Sequence, residues 1–243
     1  MLKRKSSHAG SWYSDDPKLL QSQLTSLIQK NTTTTQLDSS SSSIKALIVP
    51  HAGYSYSANT ASFSYSKLNQ NTFIKTIFIL GPSHHYYLQG CALTQCSEYE
   101  TPLGNLTVDT DLIKELFETG QFEYMTLDTD ENEHSIEMQL PFISFMLKKN
   151  LNFKIVPILV GNLTSKNTNI LANIFSKYMV DTESMFLISS DFCHWGSRFR
   201  YTYGIDDELP IYESIENLDR KAMELIESLC PEKFNSYLKK TKN

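Results

Sequence analysis

The chain has few cysteines, no long apolar run and no excess of basic charge, and each shortage removes a class of protein. The four cysteines, Cys91, Cys96, Cys193 and Cys230, form no CxxC pair and no dense framework. That excludes a disulfide-stapled secreted scaffold and fits a reduced compartment. No stretch approaches the roughly 18 consecutive apolar residues that span a bilayer. The start, MLKRKSSHAGSWY, is basic but lacks a following apolar segment, so it does not read as a secretory signal. Net charge is -5, without the basic stripe that a nucleic-acid partner calls for. The basic clusters sit at the ends: Lys3, Arg4 and Lys5, then Lys239, Lys240 and Lys242. Both read as solvated tails. Also missing are G-x-G-x-x-G, a Walker loop and a G-x-S-x-G elbow, which leaves nucleotide binding and serine-hydrolase chemistry without support. Cys193 beside His194 in sequence does not place the two side chains together, and a buried, inert thiol is the expected state.

What is present is the content of one large domain, residues 1–243, with 40% hydrophobic residues to build its core. Residues 31–43, NTTTTQLDSSSSS, are almost devoid of apolar side chains and read as a disordered surface loop. Elsewhere short apolar runs alternate with helical patterns. Ile44–Pro50, Thr72–Leu80, Phe153–Val160 and Met185–Ser190 read as strands buried on both faces. Helices are expected at 58–68, 109–119, 135–148, 166–179, 211–229 and 231–240, with Asp130 and Glu133 as a capping box before the third. A hairpin is expected from Cys91–Thr94 with the turn at Pro102-Leu103-Gly104. The alternation predicts an α/β fold with a largely parallel central sheet flanked by helices.

The histidines carry the functional signal. There are only six. His51 directly follows the first strand, His84 and His85 follow the second across Gly-Pro-Ser, and His194 follows the fourth across Asp-Phe-Cys. In open α/β sheets the ligand crevice lies beyond the carboxyl ends of the strands, so chain order predicts that these histidines converge. Neutral imidazole is a common metal ligand, and two histidines with one anionic ligand and open positions suit non-haem iron. His51 and His84 are the candidate metal ligands. Asp191 and His194 are candidate pocket residues with acid/base roles. The acidic stretch Asp128–Glu137, DTDENEHSIE, reads differently. His134 and Glu137 lie i, i+3 and can face one cation, but acidic residues at a helix N-terminus ordinarily sit in solvent. The carboxylates are expected to be solvated.

Six segments resemble the Memo family, named for mediator of receptor-driven cell motility. They are SHAGSWY (Ser7–Tyr13), PHAGYSYS (Pro50–Ser57), FILGPSHH (Phe78–His85), DENEHSIEMQLPF (Asp130–Phe142), PILVG (Pro157–Gly161) and SSDFCHWGSRFRY (Ser189–Tyr201). The resemblance runs in order along nearly the whole chain. It implies a fold similar to class III extradiol dioxygenases, with His51 and His84 as metal ligands, iron or copper as the ion, and Asp191 and His194 in the pocket. It also implies a third, cysteine ligand beyond the helix KFNSYLKKTKN. The chain ends at Asn243, before that position, so the expectation is a domain whose C-terminal part is absent and whose metal is held weakly. The resemblance further implies a cytoplasmic effector in cell-motility and cytoskeletal signalling that binds phosphotyrosine-containing receptor segments. Arg198 and Arg200 are the local candidates for the phosphate. A metal-dependent redox enzyme and an inert scaffold are the alternatives.

Overall fold

The computed structural model describes residues 2–32, 44–68, 74–147, 152–204 and 208–242. From the N-terminus come β1 (Lys3–Arg4), α1 (Pro17–Thr32), β2 (Ala46–Val49), α2 (Tyr54–Tyr65), β3 (Thr76–Pro82) and β4 (Cys91–Leu93). Two short strands, β5 (Glu98–Tyr99) and β6 (Leu106–Thr107), precede α3 (Thr110–Glu118) and β7 (Phe122–Tyr124). Three short helices follow: α4 (Leu127–Asn132), α5 (His134–Glu137) and α6 (Leu140–Met146). Then come β8 (Lys154–Val160), α7 (Ser165–Val180) and β9 (Ser184–Ser189), which complete a first compact unit, Met1–Ser190. The second unit, Asp191–Asn243, holds a 3-10 turn (Ser197–Phe199), α8 (Ile211–Glu227) and α9 (Pro231–Thr241). Most of the stretch expected to be a loop, from residue 33 on, lies outside the described residues. Its first two residues instead end α1, where buried Asn31 donates from Nδ2 to Ser62 Oγ at 2.6 Å.

The main sheet has the order β2-β9-β3-β8-β4-β7. Its pairs are parallel except β4 against β8, so the expected largely parallel α/β sheet is what forms. The central strands read as near-continuous apolar runs because both faces are covered. Ile77, Phe78 and Ile79 of β3, Ile155 and Val156 of β8, and Met185, Phe186 and Leu187 of β9 are all buried. Phe78 stacks on Phe186 at 4.6 Å, with Phe175 of α7 edge-on at 5.9 Å.

Three local expectations are corrected. Cys91–Leu93 joins the main sheet, and the hairpin across Pro102–Gly104 is instead β5 with β6, in a small sheet with β1. The helix expected over 135–148 is divided into α5 and α6. Pro141, near the start of α6, has no N–H to give and its ring clashes with the carbonyl one turn back. Asp130 and Glu133 are no capping box: Thr126 caps α4, and Glu133 caps α5 by accepting from Ser135 N–H.

One contact sets the site against the sheet. A side chain at Gly81, at the end of β3, would overlap Ser135 Oγ and approach Ile136 Cγ1 to 2.8 Å. Only glycine lets α5 press on the strand this closely, and Ser135 Oγ ties the contact by donating to Pro82 O at 2.9 Å.

Candidate metal centre

The C-terminal ends of β2 and β3 deliver His51 and His84, and the start of α5 delivers His134. One ligand-capable atom from each lies within 4.8 Å of the others. The ring centroids are 5.2 Å apart for His51–His84, 5.5 Å for His51–His134 and 4.5 Å for His84–His134. Chain order predicted the first pair; α5 supplies the third ring.

Hydrogen bonding places a proton on one nitrogen of two of these rings. Ser189 Oγ, at the end of β9, donates to Ser135 O at 2.8 Å. Having spent its only proton, it must accept from Gln139 Nε2 at 3.1 Å and from His51 Nδ1 at 2.7 Å. His51 therefore carries a proton on Nδ1. His84 Nδ1 meets Glu133 Oε1 at 2.9 Å, and a carboxylate only accepts, so His84 has the same tautomer. His134 differs. Its Nδ1 is buried without a hydrogen-bond partner among the described residues, at 3.4 Å from Glu133 Oε1.

Three carboxylates of the acidic segment are not solvated, although Asp128 is exposed as expected. Asp130, Glu133 and Glu137 are all buried. Nor is Arg4 a solvated tail: it is 0% exposed. Its Nε donates to Asp130 O and Oδ1 at 3.0 and 2.9 Å. Its Nη1 donates to Glu137 Oε2 at 2.7 Å and Lys5 O at 2.8 Å, and its Nη2 to Glu133 O at 2.9 Å. Tyr99 OH donates to Asp130 at 2.7 Å, Thr94 Oγ1 donates to Asp130 at 2.6 Å, and Tyr13 OH donates to Glu137 at 2.8 Å. The loop after β1 then lies over the cluster. Trp12 packs on His134 at 4.4 Å, and His8 stands 6.0 Å from the same ring.

Burial alone would raise the Glu133 carboxyl, but bonds from the His84 ring, the His84 N–H and the Ser135 N–H outweigh it and hold it down at about 2. Burial, with the charges of the other histidines, lowers His134 to about 4 against the pull of Glu133. Both values lie below those of the unfolded chain, so on acidification the unfolded state binds protons first. Stability should be full above about pH 6.5. It should fall towards pH 4 through His134, then from 4.5 to about 2 through Glu133. Urea midpoints measured across this range check the sign; a flat profile between pH 6.5 and 4 would contradict the His134 contribution.

The remaining candidates belong to the second unit. His194 Nδ1 donates to Phe192 O at 3.1 Å, and its Nε2 is 3.7 Å from Asp191 Oδ2. Phe192 holds a left-handed φ of 61°. Arg198 lies 5.9 Å over the Phe199 ring, and Arg200 follows with φ 55°. Both arginines are exposed.

Residues 4–243 match the model of the family described as Memo-like protein. The chain is 45% identical to Protein MEMO1 of Xenopus laevis over 241 residues, covering 99% of this chain and 79% of that protein. It is 44% identical to human Protein MEMO1 over the same shares. It is 46% identical to the Protein memo-1 homolog of Caenorhabditis elegans, covering 99% of this chain and 67% of that one.

Proposed function

This chain belongs to the Memo family, and we propose that His51, His84 and His134 bind an iron or copper ion in a fold of the class III extradiol dioxygenase type. The observation that carries this is the convergence of three imidazole nitrogens within 4.8 Å, two of them with tautomers set by the protein. The donor set fits the ion. Imidazole suits copper and iron, and the Irving–Williams order favours copper(II) at an all-nitrogen site. The buried, orphaned Nδ1 of half-buried His134 is the kind of polar atom that a native structure leaves for a ligand. The outer bonds from Glu133 and Ser189 are those that orient metal-binding histidines. When bound, such an ion supplies one-electron redox chemistry. The protein's part is to keep the His134 ring neutral at neutral pH and to cover it with Trp12.

The test is a thermal shift with Fe(II), Cu(I) and Cu(II). An ion bound only by the folded chain, at a hundred times its Kd, stabilises by about 2.7 kcal/mol. For a chain of this size that is about 5–11 °C. No shift with any of them would remove the metal reading and leave the inert scaffold.

In the same proposal the chain is an effector in cytoplasmic cell-motility and cytoskeletal signalling. Asp191 and His194 are its acid/base pair, and Arg198 and Arg200 hold a phosphotyrosine-containing peptide. The exposure of both arginines supports the last point. Replacing both by alanine should weaken binding of a phosphotyrosine peptide about tenfold or more, since charge-assisted bonds are the strong ones. Equal affinity of the variant in a fluorescence titration would exclude them.

A further inference from the structure

His84 and His85 stand side by side beyond β3, yet the fold treats their rings in opposite ways. Glu133 accepts both the backbone N–H and the Nδ1 of His84, at 2.7 and 2.9 Å. The neighbouring rings are held as well. Ser189 holds His51, and Glu137 holds His8 by accepting its backbone N–H at 2.9 Å and its Nδ1 at 2.8 Å. The His85 ring is exposed, and among the described residues no hydrogen bond holds it. Its ring contact is edge-on to His134, with the centroids 6.0 Å apart.

The two histidines also share a route from water. Both line an open cleft of about 360 Å³, along with Val160 and Asn162 from the end of β8. One water occupies about 30 Å³, so an ion carrying six waters, roughly 180 Å³, fits within it. Taking an ion out of water before a protein group replaces the lost solvent is expensive. Rings fixed by outer hydrogen bonds cannot swing out to meet it. An imidazole at the surface with neither nitrogen engaged can, and imidazole is a common metal ligand.

We propose that His85 is the entry ligand of the centre: it takes a metal ion from water at the cleft and passes it to His84 and the rings behind, without being one of the ligands that hold the ion at rest. The inference deepens the metal reading above and rests on it. No electron moves in the transfer. A bond from the ion to water gives way to one from His85, and that bond gives way in turn to one from His84.

The experiment mixes the full chain with Cu(II) alone in a stopped flow. The signal is quenching of the fluorescence of Trp12, which packs on His134 at 4.4 Å. His85→Ala should lower the association rate about tenfold and the dissociation rate into a chelator by the same factor, because a contact made only in passage acts on the barrier and not on the end states. The Kd should therefore stay within about twofold of the wild type. His85→Glu, which restores a metal-binding group without the ring, should recover most of the rate. His85→Phe, which restores a ring without a nitrogen, should be as slow as His85→Ala. Unchanged rates in His85→Ala would overturn the proposal. A Kd that rises through faster dissociation would overturn it too, by making His85 a resident ligand. Faster association in His85→Ala would do so by making the ring an obstacle. A wild type with neither quenching nor a thermal shift would sink the metal reading and the entry role with it. A wild type that binds the ion at rates indifferent to His85 would remove the entry role alone.

Discussion

Replacing His84 by alanine should cut metal affinity by about 100-fold or more, beyond the 10–100-fold typical of outer-shell changes. The reason is the chemistry of the donor set. Three neutral imidazoles hold a dication only by their lone pairs, and two leave more of its desolvation cost unmet. His51→Ala should do the same, and it also frees Ser189 Oγ from its 2.7 Å bond. His134→Ala is the sharper test of the assigned set, since chain order alone did not single that ring out. Metal content of the purified variants, measured by elemental analysis, reads all three. Unchanged content in both His51→Ala and His84→Ala would refute the site. Loss in those two but not in His134→Ala would reduce it to a pair.

The largest effect on stability is expected at Arg4. Arg4→Met keeps much of the side-chain volume and removes the guanidinium, which leaves Asp130 and Glu137 buried without their cation. Breaking a buried pair from one side costs about 3–5 kcal/mol. In a chain of this size that lowers Tm by about 6–20 °C. Arg4→Lys should recover only part of the loss, because one ammonium cannot reproduce the fork that reaches Asp130, Glu137 and the Glu133 carbonyl together. Calorimetric melts of both variants check this. A loss under about 1 kcal/mol, the scale of an exposed pair, would mean that water reaches the carboxylates.

How much of this could be read from the residues alone differs from one part to another. The four apolar runs became β2, β3, β8 and β9, because side chains buried on both faces need no alternation. The closeness of His51 and His84 could be read from their place just past strand ends, a rule of parallel sheets. The acidic stretch was singled out but three of its carboxylates were misread, since isolated carboxylates at a helix start are usually solvated. The overlooked signal was its neighbourhood: Ile136, Met138 and Leu140 are buried on either side of Glu137. Arg4 gave no local sign at all, flanked as it is by Lys3 and Lys5. Its partners lie more than a hundred positions away, and pairing at that distance leaves no periodic trace in the chain.

The strand order also has a consequence for the time at which the centre comes into being. β2 and β3 are successive strands of the main sheet, yet β9 lies between them. While the chain is being made, the slot between Val49 and Leu80 stays open until Ser184–Ser189 has emerged, because β9 pairs with both strands. Ser189, which fixes the His51 ring, arrives in that same final step. Contacts this distant in sequence make for slow, late consolidation. The nascent chain therefore carries its histidines well before the sheet that brings them together is complete, and on the proposed reading metal uptake belongs to the finished sheet.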